Sequence, residues 1–161
     1  MGRGKFTRQP VLGRKQNGGR QAQRYNTAMS NSSEAVAQAF IRAINRQDVD
    51  GLVALMAPDH RFVDSLGNVV AGREKMRAGW SGYFKMVPDY SIAIEESLSD
   101  GGVVLMLGMA EGTYAPDGTM KPQNRWKTPA ALRAQVEDGL VAEWRVYADN
   151  EPLRECMRKS N

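Results

Sequence analysis

Asp64 is the residue whose type and surroundings most readily do chemistry. A carboxylate held among Phe62, Trp80, Trp126 and Trp144 would be desolvated, which raises its pKa and makes it a stronger general base. The same residue immediately precedes Ser65-Leu66-Gly67, where an aspartate ordinarily caps a turn, and at this level both roles stand open. His60 lies four positions earlier and on the same strand face, but at ~3.3 Å per residue the two Cα atoms stand ~13 Å apart, beyond a simple hydrogen bond. Tyr83 and Trp80 share a helical pattern and offer a phenol and an indole N–H as donors, with packing as the simpler role. Asn150 ends the last strand, where it either donates to a bound oxygen or caps the terminal helix. Trp126, Leu132 and Trp144 face inward by alternation, as core or as ligand lining.

Other chemistries find no support. One cysteine, Cys156, and one histidine exclude an intrachain disulfide and a Cys/His zinc site, and Cys156 has no histidine near it in sequence to activate the thiol. The phosphate-loop, dinucleotide and H-E-x-x-H signatures are absent, so neither a cofactor nor a metal is expected.

The elements that must position these residues follow from periodicity. Asn31 and Glu34 have the spacing of an N-cap and its N3 partner, and Val36, Phe40, Ile41 and Ile44 then recur on one helical face. Asp48 caps a second short helix, which Pro58 is expected to close. His60 to Asp64 reads as a short strand, and Gly72 to Met86 as a third helix weakened by Gly79 and Gly82. Strands over Tyr90 to Glu95, Val103 to Tyr114, Trp126 to Val136 and Leu140 to Ala148 are separated by Asp100-Gly101, Asp117-Gly118 and Asp138-Gly139, which are hairpin signals. In the last strand Leu140, Ala142, Trp144, Val146 and Ala148 form the apolar face. Pro129 implies an edge position or a bulge. A short helix from Glu151 to Met157 ends the chain. Helices followed by a meander of strands give an α+β fold, a curved antiparallel sheet forming a cone closed by the N-terminal helices. An open cone is a pocket.

Charge divides the chain unevenly. Of its 161 residues, the first 28 hold Arg3, Lys5, Arg8, Arg14, Lys15, Arg20 and Arg24 and no acid; the rest has 15 basic against 18 acidic residues, or −3. Residues 1–30 are thus expected to be a disordered basic tail and 31–161 the folded domain. Nucleic acid is a partner only if that tail is functional. No stretch of eighteen apolar residues and no apolar leader is present, which points away from the membrane and to the cytoplasm.

The segment Asp59-His60-Arg61-Phe62-Val63-Asp64-Ser65-Leu66-Gly67, followed by Ala71-Gly72-Arg73-Glu74, resembles the D-x-x-x-x-D-P-x-G … G-R-E pattern of the nuclear transport factor 2-like superfamily, which includes ketosteroid isomerases and SnoaL-like cyclases. Val136 to Tyr147 is similar to the x-x-D-G-x-I-x-x-W-x-x-Y closing hairpin of SnoaL-like domains. The resemblance implies a cystatin-like cone, a ligand-lined interior and Asp64 as the base that removes a proton alpha to a carbonyl. It also places the isomerase tyrosine on Phe40, its aspartate partner on Leu132 or Ala131, and the epoxide hydrolase aspartate on Val146. The sequence departs from the pattern at all three. The implied ligand is a small apolar or carbonyl-bearing molecule lined by Phe40, Phe62, Trp80, Tyr83, Trp126, Leu132, Trp144, Val146 and Asn150. Arg133, Gln135, Arg145 and Tyr147 would form a sheet surface suited to a homodimer.

Overall fold

The computed structural model describes residues 33–160. A first helix, α1, covers 33–45; α2 is Val49–Ala54, β1 Met56–Val63, β2 Val69–Ala71 and α3 Arg73–Met86. β3 (Ser91–Asp100), β4 (Val103–Thr113), β5 (Arg125–Glu137) and β6 (Leu140–Ala148) follow, and α4 (Glu151–Ser160) closes the chain. The expected tail and the Asn31 cap lie outside the described residues. Among these residues no helix is long and apolar enough to cross a membrane.

The six strands form one curved, unclosed sheet in the order β2-β1-β6-β5-β4-β3. Its pairings are antiparallel except β1 with β6, which run parallel with Phe62 opposite Trp144. The expected curved antiparallel sheet is thus present, with one parallel pair added where the chain returns to β1 after α3 and the meander.

Curvature comes from bulges. At β3 Ile94 pairs with Gly108 and Glu96 with Leu107, so Glu95 is an extra residue. The backbones approach so closely there that a Cβ on Gly108 would lie 1.9 Å from the Ala93 carbonyl oxygen, which only glycine permits. At β6 Gln135 pairs with Glu143 and Val136 with Val141, leaving Ala142 as the extra residue. That bulge restarts the alternation and corrects the expected face: Val141, read as outward, is fully buried.

Proline placement also differs. α2 ends at Ala54 with Leu55 as its C-cap, and Pro58 sits inside β1, within the stretch where the β1–β6 register shifts. Pro129 lies in β5, a central strand, and pairs with Met109 in an unbroken β4–β5 ladder. It is neither an edge nor a bulge. β6 ends at Ala148 opposite Ala130, so on that side Pro129 faces no strand that needs its missing N–H.

Asp48 caps α2 as its position predicts, its Oδ1 accepting from the Gly51 amide at 2.8 Å. Asp138 and Gly139 both take positive φ, +49° and +76°, the geometry of a tight hairpin turn between β5 and β6. α1 buries Ala37, Phe40, Ile41 and Ile44 against the concave face. Its Asn45 side chain donates to the Ile92 carbonyl at 2.9 Å and accepts from the Ile92 amide at 2.8 Å, pinning the helix to the edge strand β3.

Candidate functional site

α3 crosses the concave face and leaves a cavity of about 280 Å³ beneath it. Met76, Trp80 and Tyr83 recur at helical spacing, so one face of α3 forms a wall. Phe62 of β1 and Trp144 and Val146 of β6 form the facing wall. Asp64, Ser65, Lys75 and Asn150 contribute the polar rim.

Asp64 reaches this cavity, but its carboxylate is occupied. Oδ1 accepts from the amides of Leu66 and Asn68, and Oδ2 from the Asn68 side chain, each at 2.9 Å. Partial burial pushes its pKa up, yet the hydrogen bonds from Asn68, Leu66 and Gly67 outweigh that and hold the carboxyl below its ordinary range. The direction is opposite to the desolvated base expected from the aromatic neighbourhood. The turn-capping role is the geometry found, and Gly67 with φ +86° completes the turn.

Of the other residues named from the sequence, Phe62, Trp80, Tyr83, Trp144, Val146 and Asn150 meet around the cavity. Three do not line it. Phe40 is sealed in the core, 4.8 Å ring to ring from Trp144 and 6.0 Å from His60. Leu132 is buried beneath the sheet's inner face, and Trp126 packs behind Tyr90 at 6.0 Å. Alternation points all of them inward but does not separate core from lining. Asn150 does not cap α4; its side chain donates to Ser65 Oγ at 2.7 Å, tying the end of β6 to the β1–β2 turn, while Asp149 accepts from the Glu151 amide at 2.8 Å.

His60 is fully buried. Its Nδ1 donates to the Val141 carbonyl at 2.7 Å, which fixes the neutral tautomer and leaves Nε2 as an acceptor with no partner among the described residues. Burial lowers its pKa, against weaker opposing pulls from the Val141 hydrogen bond and from Asp59 and Glu143. Asp64 is not among the charges it feels.

Tyr90 lines the cavity and was not singled out in the sequence. Its ring meets Tyr83 edge to face at 5.0 Å and 87°, and Tyr83 meets Trp80 at 6.2 Å and 82°. Burial pushes both phenols far above the usual tyrosine range, so each stays protonated. Neither phenol has a hydrogen-bond partner among the described residues, nor does the buried Trp80 Nε1. The sequence signal for Tyr90 is its alternation with Ile92 and Ile94, just after the helix that carries Tyr83.

Geometry of this kind has known relatives. A protein named as a SnoaL-like polyketide cyclase, from Jannaschia sp. CCS1, superposes with a TM-score of 0.69 at 17% identity over 80% of this chain and 92% of its own. An uncharacterised cystatin-fold protein from Novosphingobium aromaticivorans gives 0.61 at 26% identity over 71% and 96%. An LEH-like epoxide hydrolase from M. tuberculosis gives 0.66 at 18% over 81% and 92%. None of the curated proteins matches in sequence. The profile of the SnoaL-like domain matches residues 37–144, from α1 to the buried Trp144 of β6. A helix-closed sheet bearing an aromatic cavity, matched over that span, places the chain in the SnoaL-like domain family.

Proposed function

We propose that the chain binds a small apolar, carbonyl-bearing molecule in the aromatic cavity, and that Asp64 acts there as general base, removing a proton alpha to the carbonyl in an isomerisation or cyclisation. The observation that carries this reading is an apolar cavity of about 280 Å³ with an ionised carboxylate in its rim. An engineered cavity of roughly 150 Å³ holds benzene, so this one suits one substituted ring or a fused pair and is small for a four-ring steroid. A carboxylate below its ordinary pKa is deprotonated and ready at neutral pH, but it is a weak base. That favours a carbon acid already activated by two carbonyl groups. The protein needs no cofactor for such a step, and the cytoplasm is the compartment that suits it.

The test is a thermal-shift panel of cyclic ketones, phenols and lactones, followed by NMR detection of deuterium exchange alpha to the carbonyl of any binder. A ligand at about a hundred times its Kd adds ~2.7 kcal/mol, a shift of several degrees. Asp64→Asn should keep the shift and lose the exchange. Absence of any shift across the panel ends the reading; unchanged exchange in Asp64→Asn ends the role of the base.

A second reading, a homodimer built on the sheet, draws on the outer face. Leu107, Ala131 and Tyr147 form one cross-strand row, and Leu98, Leu105, Arg133 and Arg145 the next. Leu98, Leu105, Leu107 and Tyr147 are all exposed, and Arg133 is held by Glu143 at 3.0 Å and Gln135 at 2.9 Å. Leu98 alone is 68% exposed. Sedimentation equilibrium would show a dimer that Leu105→Glu dissociates; a monomer at high concentration would exclude it.

A further inference from the structure

The polar atoms of the cavity are sorted by wall. On the β1 side, Asp64 and Ser65 are committed to the turn and to Asn150. On the opposite side, where α3 leads into β3, Tyr83 and Tyr90 contribute two phenols with no partner among the described residues, beside the enclosed and unpartnered Trp80 Nε1. A hydroxyl that opens onto an apolar cavity gains its hydrogen bond to protein or ligand only when a bound molecule brings an acceptor. The phenol oxygens are not enclosed as the Trp80 Nε1 is, and both tyrosines line the cavity. The rings meet edge to face with each other and between Tyr83 and Trp80, and Tyr90 packs at a 30° tilt on Trp126, which holds the hydroxyls in place without using them.

We propose that Tyr83 and Tyr90 form a paired-donor subsite that takes the carbonyl oxygen of the ligand, and so fix which end of a one- or two-ring ketone enters the cavity first. The proposal rests on the cavity being a ligand site. A carbonyl oxygen has two lone pairs and accepts from both phenols, whereas a hydrocarbon of the same shape leaves them unpaired. Because burial keeps both phenols protonated, the subsite donates at neutral pH. β1 and β3 are four strand intervals apart, roughly 19 Å along a flat sheet and less on this curved one, so the oxygen seated on the phenols lies across the cavity from Asp64. The carboxylate then meets the far end of the ligand. In a compound with two carbonyl groups, the carbon acid it can reach is the one remote from the anchored oxygen.

The test compares 1-tetralone with its hydrocarbon, tetralin, by quenching of the cavity tryptophans. The wild type should favour the ketone, and Tyr83→Phe and Tyr90→Phe should each weaken ketone binding by roughly 3- to 10-fold while leaving tetralin within about twofold. The double variant should show no preference, and Asp64→Asn should retain it. The infrared carbonyl stretch of bound tetralone should lie at lower frequency in the wild type and return upward in the double variant, a change that a merely structural role would not produce. A preference that survives in the double variant, a wild type with no preference, or equal losses for both probes overturns the subsite while the cavity reading stands. Binding of neither probe overturns both.

Discussion

Around Phe40 the concave face is sealed, whereas around Tyr83 it is open, and aromatic side chains do different work in the two places. At the sealed end Phe40, His60 and Trp144 pack ring against ring, and the His60 Nδ1 is held by the Val141 carbonyl. At the open end the rings of Trp80, Tyr83 and Tyr90 brace one another while their polar atoms stay unpaired. The sheet and its helices supply both environments from one inward-facing surface. Among the described residues the sealed end leaves His60 Nε2 without a partner, and the open end Trp80 Nε1.

Truncation is the largest expected disturbance of this contrast. Phe40→Ala should cost about 3–5 kcal/mol in urea unfolding, because a fully buried ring leaves a cavity its neighbours cannot refill. A cost below about 1 kcal/mol would mean that the sealed end is not the stability core.

Acid should act on the same end. Since burial lowers the His60 pKa, the folded state resists a proton that the unfolded chain accepts. The group contributes nothing to the pH dependence well above 6.5; as pH falls through 6.5, stability is lost, with a slope of up to about 1.4 kcal/mol per pH unit until the folded-state pKa is reached. Unfolding midpoints of wild type and His60→Leu between pH 7.5 and 5 should diverge in slope, and parallel curves would contradict it.

The rim should respond less. Asp64→Ala removes the acceptor of three turn hydrogen bonds and should cost about 1 kcal/mol above pH 4, with the difference from wild type shrinking as pH falls through the lowered Asp64 pKa. Smallest of all, Tyr83→Phe should change stability by no more than about 0.5 kcal/mol, since its hydroxyl has no partner to lose among the described residues. A larger loss would show that the phenol is structural, and would erase the distinction between the two ends.

Much of the framework was legible from the chain. Strand alternation and the Asp-Gly pairs locate β4, β5, β6 and their turns, because those signals are local. β3 runs to Asp100, past the expected Glu95, because Glu95 and Glu96 straddle a bulge whose ladder partner, Gly108, lies in another strand. β1 starts at Met56 because its pairing with Val141 overrides the helix-stopping character of Pro58. In the site, Asp64 shows both lessons. Its turn pattern is written in four consecutive residues and appears as expected, while its desolvation depended on how far the aromatic residues stand from the carboxylate. Tyr90 opens the alternating run Tyr90, Ile92, Ile94, which marks it as inward but not as a neighbour of Tyr83; only the turn from α3 into β3 brings the two rings together.

The parallel pairing of β1 with β6 also bears on how the protein is made. Phe62 and Trp144 are neighbours in the sheet but 82 positions apart in the chain, so β1 has no central partner until the last strand has been synthesised. While translation proceeds, the edge of β1 that faces β6 waits without its partner. The growing chain thus carries a period of vulnerability to aggregation that ends only when its C-terminal strand leaves the ribosome, and truncations that remove β6 should be caught by chaperones rather than accumulate as a smaller folded unit.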